Sequence, residues 1–213
     1  MRLGAARVLS EWMGVAGSQG PTDVTRSDTA SQDPFPRVTQ PSIDRGKGSN
    51  SSDKGTSLHT ASGEGAVETV RSLLDSGADV NERDEDHRTP VFYASWRGRV
   101  EVAKLLIEHG ADVNSQDGAG WTSLQVASQS GHLDTVRLLL DHDTDMNAGT
   151  HEHWTALHFA SQYGHFEVVE ALLKRGANVG ARNDEGRTPS QVAWRWGNRN
   201  VVRLLSEYDI HGV

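Results

Sequence analysis

The 213-residue chain contains no cysteine. That absence excludes disulfides, thiolate metal sites and a cysteine nucleophile together, and it suits a reducing compartment. There is no apolar run long enough to span a bilayer as a helix. A basic surplus is also missing, with 21 Lys and Arg against 29 Asp and Glu. Residues 1–55 hold 7 basic and 6 acidic side chains, which leaves 14 against 23, or −9, in residues 56–213. Nucleic acid and anionic lipid both need a net basic face, so neither is expected as a partner. The common catalytic signatures are absent as well: no Gly-x-Ser-x-Gly, no Gly-x-x-x-x-Gly-Lys and no His-Glu-x-x-His.

Composition divides the chain near residue 55. Before it, stretches such as Gly17-Ser18-Gln19-Gly20-Pro21 and Gly46-Lys47-Gly48-Ser49-Asn50-Ser51-Ser52-Asp53 carry no sustained apolar period, so a disordered tail is expected over 1–55. Its start has two arginines and a faint amphipathic pattern, but Glu11 weakens a presequence reading and the apolar stretch is too broken for a secretory signal. Asn50-Ser51-Ser52 fits a glycosylation sequon and, without such a signal, reads as solvated tail.

From there the chain is periodic. Thr56, Thr89, Thr122, Thr155 and Thr188 are separated by 33 residues each, with no insertion or deletion. Such a period means stacked copies of one supersecondary unit. Each threonine is placed to cap a short helix, and Pro90 and Pro189 suit the first helical position. Gly65, Gly98, Gly131, Gly164 and Gly197 end that helix in every copy. A second, more apolar helix follows, with Val100, Val102, Leu105, Leu106 and Ile107 in copy two, and stops at Gly77, Gly110 or Gly176. A helix of about eight residues does not persist alone in water, so neighbouring copies must hold each other up. Copy five, with Ser190 for the usual Leu and the ending Leu204-Leu205-Ser206-Glu207, reads as a truncated polar cap.

Thr-Pro/Ser-Leu-His at the start, Ala at the sixth position, Gly at the tenth and Leu-Leu-x-x-Gly-Ala-Asp-Val-Asn resemble the ankyrin repeat. The match covers residues 56–213, in a style like that of long fungal ankyrin proteins. The resemblance implies a mostly α solenoid: helix-turn-helix units joined by β-hairpin-like loops. It also implies protein binding through a concave groove and hairpin tips, with His59 and His158 in structural roles bonding backbone between repeats. Copy three departs from the pattern. It reads Asp143-Thr144-Asp145-Met146-Asn147 where others have Gly-Ala-Asp-Val-Asn, and its hairpin Gly149-Thr150-His151-Glu152-His153 lacks the usual Asp and Gly. A non-glycine in the left-handed region costs about 1–2 kcal/mol, so this junction is expected to be the softest.

By that resemblance the ends of the first helices line the groove: Gly63-Glu64, Trp96-Arg97, Gln129-Ser130, Gln162-Tyr163 and Arg195-Trp196. Trp, Tyr and Arg are enriched at interface hot spots. The expected binding residues are therefore Trp96, Arg97, Gln129, Gln162, Tyr163, Arg195 and Trp196, with Asp84, Glu85 and Asp86 as an acidic hairpin tip. Trp194 and Trp196 have a second reading, as covers for the end of the stack. Trp121 and Trp154 are expected to pack on the neighbouring hairpin instead. His151, Glu152 and His153 offer two imidazoles and a carboxylate, but zinc generally takes four ligands and nothing nearby completes the set. His132 and His165 recur with the period and need no chemistry to explain them.

The sequence therefore reads as a non-enzymatic interaction module or scaffold with a protein partner. No catalytic residue, cofactor, metal, membrane, nucleic acid or small-molecule substrate is expected; a monomer in the cytoplasm or nucleus is. The alternative is a substrate-recognition or regulatory adaptor of an enzyme complex, such as a ubiquitin ligase, with residues 1–55 docking the catalytic partner. A further alternative is a structural remnant of a longer repeat protein.

Overall fold

The computed structural model describes residues 57–211, the last two by backbone alone. Thr56, the tail 1–55, its sequon and its presequence-like start lie outside the described residues. Among the described residues there are ten helices and no strand. They come in pairs: α1 (Leu58–Glu64) and α2 (Val67–Asp75), α3 (Pro90–Trp96) and α4 (Val100–Glu108), α5 (Ser123–Ser130) and α6 (Leu133–Leu140), α7 (Ala156–Tyr163) and α8 (Phe166–Lys174), α9 (Pro189–Arg195) and α10 (Arg199–His211).

The threonine period sets the helix starts. Thr122, Thr155 and Thr188 stand in extended backbone, and each hydroxyl accepts the N–H of the residue three further on. Gln125, His158 and Gln191 return the bond by accepting the threonine N–H, which completes a capping box. Copy two has Phe92 in that column and no side-chain cap bond from Thr89; Pro90 starts its helix instead. Copy one shifts by a residue. Its cap is Ser57, which accepts from the Thr60 N–H.

The first helices α1, α3, α5, α7 and α9 pack side by side, as do the second helices, and the first layer is the more closely packed. Leu58, Val91 and Leu106 belong to a core of copies one and two; Leu124, Leu157, Leu172 and Leu205 belong to one of copies three to five. Ile107 packs against both. Each such buried leucine contributes about 1.5–3 kcal/mol, and only while its neighbour covers it.

Hydrogen bonds repeat from copy to copy. Arg99, His132, His165 and Asn198 share one column after the glycine turn. They donate to the carbonyls of Gly63, Trp96, Gln129 and, for Asn198, both Ser161 and Gln162 in the preceding copy. Asn81 and Asn114 each donate to the next copy's second-helix end and accept an N–H from it. The hairpins join as well: the Gly118, His151 and Asp184 N–H groups donate to the carbonyls of Asp86, Ala119 and Glu152. The backbone polar groups of short loops are thereby satisfied by neighbours rather than by long strands.

Copy five is less truncated than its sequence suggests. Its second helix runs for 13 residues, against 9 in copy four. Ser206 keeps that helix polar, whereas Trp194 is 57% exposed on the first helix.

Candidate interaction surface

Hairpin tips and first-helix ends are the two edges of one surface, since each hairpin leads into the N-terminus of a first helix. The tip is a tight turn whose fourth residue is left-handed: His87 (φ 63°), Gly120 (φ 82°), His153 (φ 58°) and Gly186 (φ 70°). Two histidines thus hold a conformation that glycine takes at lower cost. The first residue of the turn bonds back to it. Asp84 Oδ1 accepts from the Asp86 and Arg88 N–H groups, Asp117 Oδ1 from Ala119 and Trp121, and Asn183 Oδ1 from Glu185 and Arg187. Thr150 accepts only from Trp154.

Within the acidic tip the three expected residues have different situations. The second oxygen of Asp84 accepts from the Tyr93 hydroxyl at 2.7 Å, so its carboxylate is engaged inside the turn and across to α3. Burial, reinforced by this bond, pushes the Tyr93 hydroxyl above its ordinary value. Asp86 pairs with Arg88 at 2.8 Å, and Glu85 is exposed. At the third hairpin His153 pairs with Asp184 across two tips. Among the described residues no group of three or more His, Asp or Glu could hold a metal ion.

Along the helix ends the expected residues also separate. Trp96 is half-buried, with Tyr93 6.4 Å away ring to ring and the Arg97 guanidinium 5.0 Å above its ring. Arg97 is exposed and held by a cation–π contact worth about 0.5–1 kcal/mol at such a site. Gln129 is only 6% exposed, and its amide points at the Tyr163 hydroxyl from 3.5 Å, the outer limit of a hydrogen bond. Gln162 is half-buried, while Tyr163 is 44% exposed and lies over His165 with nearly parallel rings 6.2 Å apart. Arg195 and Trp196 are exposed at the last copy. The aromatic and arginine side chains therefore project, whereas Gln129 belongs to the packing between copies.

The histidines and the other two tryptophans are structural. His59 Nε2 lies 3.0 Å from the Glu82 carbonyl and 3.1 Å from that of Arg88. His158 Nε2 lies 3.0 Å from the Arg187 carbonyl while Nδ1 takes the Thr155 N–H, which requires the neutral Nε2–H tautomer. Gln125 does the same work in copy three, donating to the Ala148 and Trp154 carbonyls. Burial holds His158 below the ordinary histidine range, opposed by the backbone bonds. Burial likewise lowers His132, with the charges of His165 and Arg99 acting the same way. Trp121 and Trp154 both stack on Phe159, at 4.2 and 5.2 Å, so the partner is a residue of first helix α7 and not the expected hairpin.

Sequence reading passed over Tyr93 as a partner of Asp84, and Arg99 and Asn198 as members of the histidine column. The 33-residue register contained the second signal; the first depends on how the hairpin folds back on α3.

A family model described as ankyrin repeats, in three copies, matches residues 30–117, 115–183 and 150–212. The first match begins upstream of Thr56, in residues that the structure does not describe. No curated protein sequence matches the chain. Among the described residues no helix is long and apolar enough to cross a membrane.

Proposed function

The chain belongs to the ankyrin-repeat family, and on that premise we propose that it binds a protein partner in the groove between its hairpin tips and first-helix ends. Ankyrin repeats are protein-interaction modules in general; the assignment of the site to this groove rests on one observation. Trp96, half-buried, with exposed Arg97 in copy two, and exposed Tyr163 in copy four, present large aromatic and cationic groups along the first-helix ends. A partner that covers them removes apolar area from water, and the stacked copies are already ordered, so little further entropy is lost on docking.

The role is a non-enzymatic one, inside the cell, with Asp84 stiffening the tip and Glu85 and Asp86 meeting the partner. Trp96→Ala combined with Tyr163→Ala is expected to lower partner capture at least tenfold in a pulldown while the far-UV circular dichroism stays unchanged. Undiminished capture by the folded double variant would move the site elsewhere.

A further inference from the structure

The two edges of this groove carry opposite charge. The tip segments 82–88, 115–121, 148–154 and 181–187 hold eight acids against four arginines. Glu85 and Glu152 are exposed there and make no ion pair among the described residues, whereas Asp86 and Asp184 are paired locally. On the far edge, the helix ends and glycine turns 63–66, 96–99, 129–132, 162–165 and 195–198 hold Arg97, Arg99 and Arg195 against Glu64 alone. All four of these side chains are exposed.

The distance between the edges is set by the first helices. At seven or eight residues each and 1.5 Å per residue they span about 10–12 Å, which is about the width of one α-helix with its side chains. We propose, resting on the groove as the binding site, that its occupant is a single α-helix of the partner lying along the stack. Its basic edge faces the hairpin tips and its acidic edge faces Arg97 and Arg195. Apolar residues between those edges meet Trp96 and Tyr163. These anchors lie two copies apart, or about 16–20 Å at 8–10 Å per packed helix, so they engage partner residues about 11–13 positions apart in a helix. Opposed charge on two rails fixes direction as well as affinity, because a reversed helix sets like charges together.

A display library of 24-residue peptides tests this, with charged residues randomised on an Ala/Leu helical background and selected on the immobilised full chain. A matched library carries a central proline. Enriched peptides should come from the first library, with Lys/Arg and Asp/Glu segregated to opposite helix edges. Selection on Arg97→Glu should lose the acidic edge, and selection on Glu85→Lys with Glu152→Lys the basic one. No enrichment, enrichment without segregation, or equal enrichment of the proline library would overturn the proposal. Unsegregated peptides that still require Trp96 and Tyr163 would remove the charged helix and leave the groove as the site.

Discussion

Glycine and serine columns show how one residue position is constrained twice. Gly131 is left-handed at φ 76°, and a Cβ there would lie 2.6 Å from the His165 ring; Gly197 is left-handed at φ 78° with open space around it. Gly197→Ala therefore costs only backbone strain, about 1–2 kcal/mol. Gly131→Ala adds displacement of His165 from the Gln129 carbonyl, a further loss of about 1 kcal/mol. Urea unfolding of the two variants should rank them in that order, and equal costs would refute the contact. Ser62, Ser95, Ser128 and Ser161 occupy another column, fully buried, with hydroxyls that have no hydrogen-bond partner among the described residues. Ser128→Ala is expected to raise stability by about 1 kcal/mol, since an orphaned hydroxyl is a net cost. Copy five places Trp194 in that column, where it is exposed. Titration follows the same local logic. His132 and His158 are held below the ordinary range, so the unfolded chain binds protons that the folded chain excludes. Their contribution is full above about pH 6.5 and falls as pH drops below it. The urea midpoint should be lower at pH 5.5 than at 7.5. His158→Gln, the residue found in copies three and five, should narrow that difference.

Among the elements, the junction of copies three and four is the informative one. Asp143 is forced to φ 36° where Gly110 and Gly176 stand in the neighbouring copies. The Ala111 and Ala177 N–H groups bond the Leu106 and Leu172 carbonyls, but in copy three the Thr144 hydroxyl reaches the Leu139 carbonyl instead, at 2.6 Å. Arg175 adds a bond to the Leu140 carbonyl and an ion pair to Asp141. These contacts hold α6 but do nothing for the hairpin, where Thr150 accepts one N–H and Asp117 accepts two. Amides of residues 148–154 should therefore exchange faster than those of 115–121, and equal protection would contradict this account. The Trp121–Phe159–Trp154 stack spans the same region and ties the base of both hairpins to α7.

At the scale of the molecule, stability is a chain of nearest-neighbour interfaces. Much of that was legible because the period is strict. Helix order, cap positions in copies three to five, the glycine turns and the left-handed Asp143 follow from registering five copies. Trp121 and Trp154, expected on the neighbouring hairpin, both stack on Phe159 of α7, a contact across copies that the register does not reveal. Less legible was which groove residues project. Gln129 and Tyr163 are close in column and chemistry class, yet one is 6% and the other 44% exposed. The difference arises between copies, because Tyr163 of copy four covers Gln129 of copy three.

Periodicity by itself indicated that residues 56–213 are stacked helix pairs, because helices this short persist only when neighbouring copies cover their apolar faces. Tertiary structure decided what each surface residue is free to do. It committed Asp84 to Tyr93, and it set a row of acids one helix length from Arg97 and Trp96. Those relations depend on how hairpins fold back and copies nest, which brings together residues on separate units that local sequence does not pair.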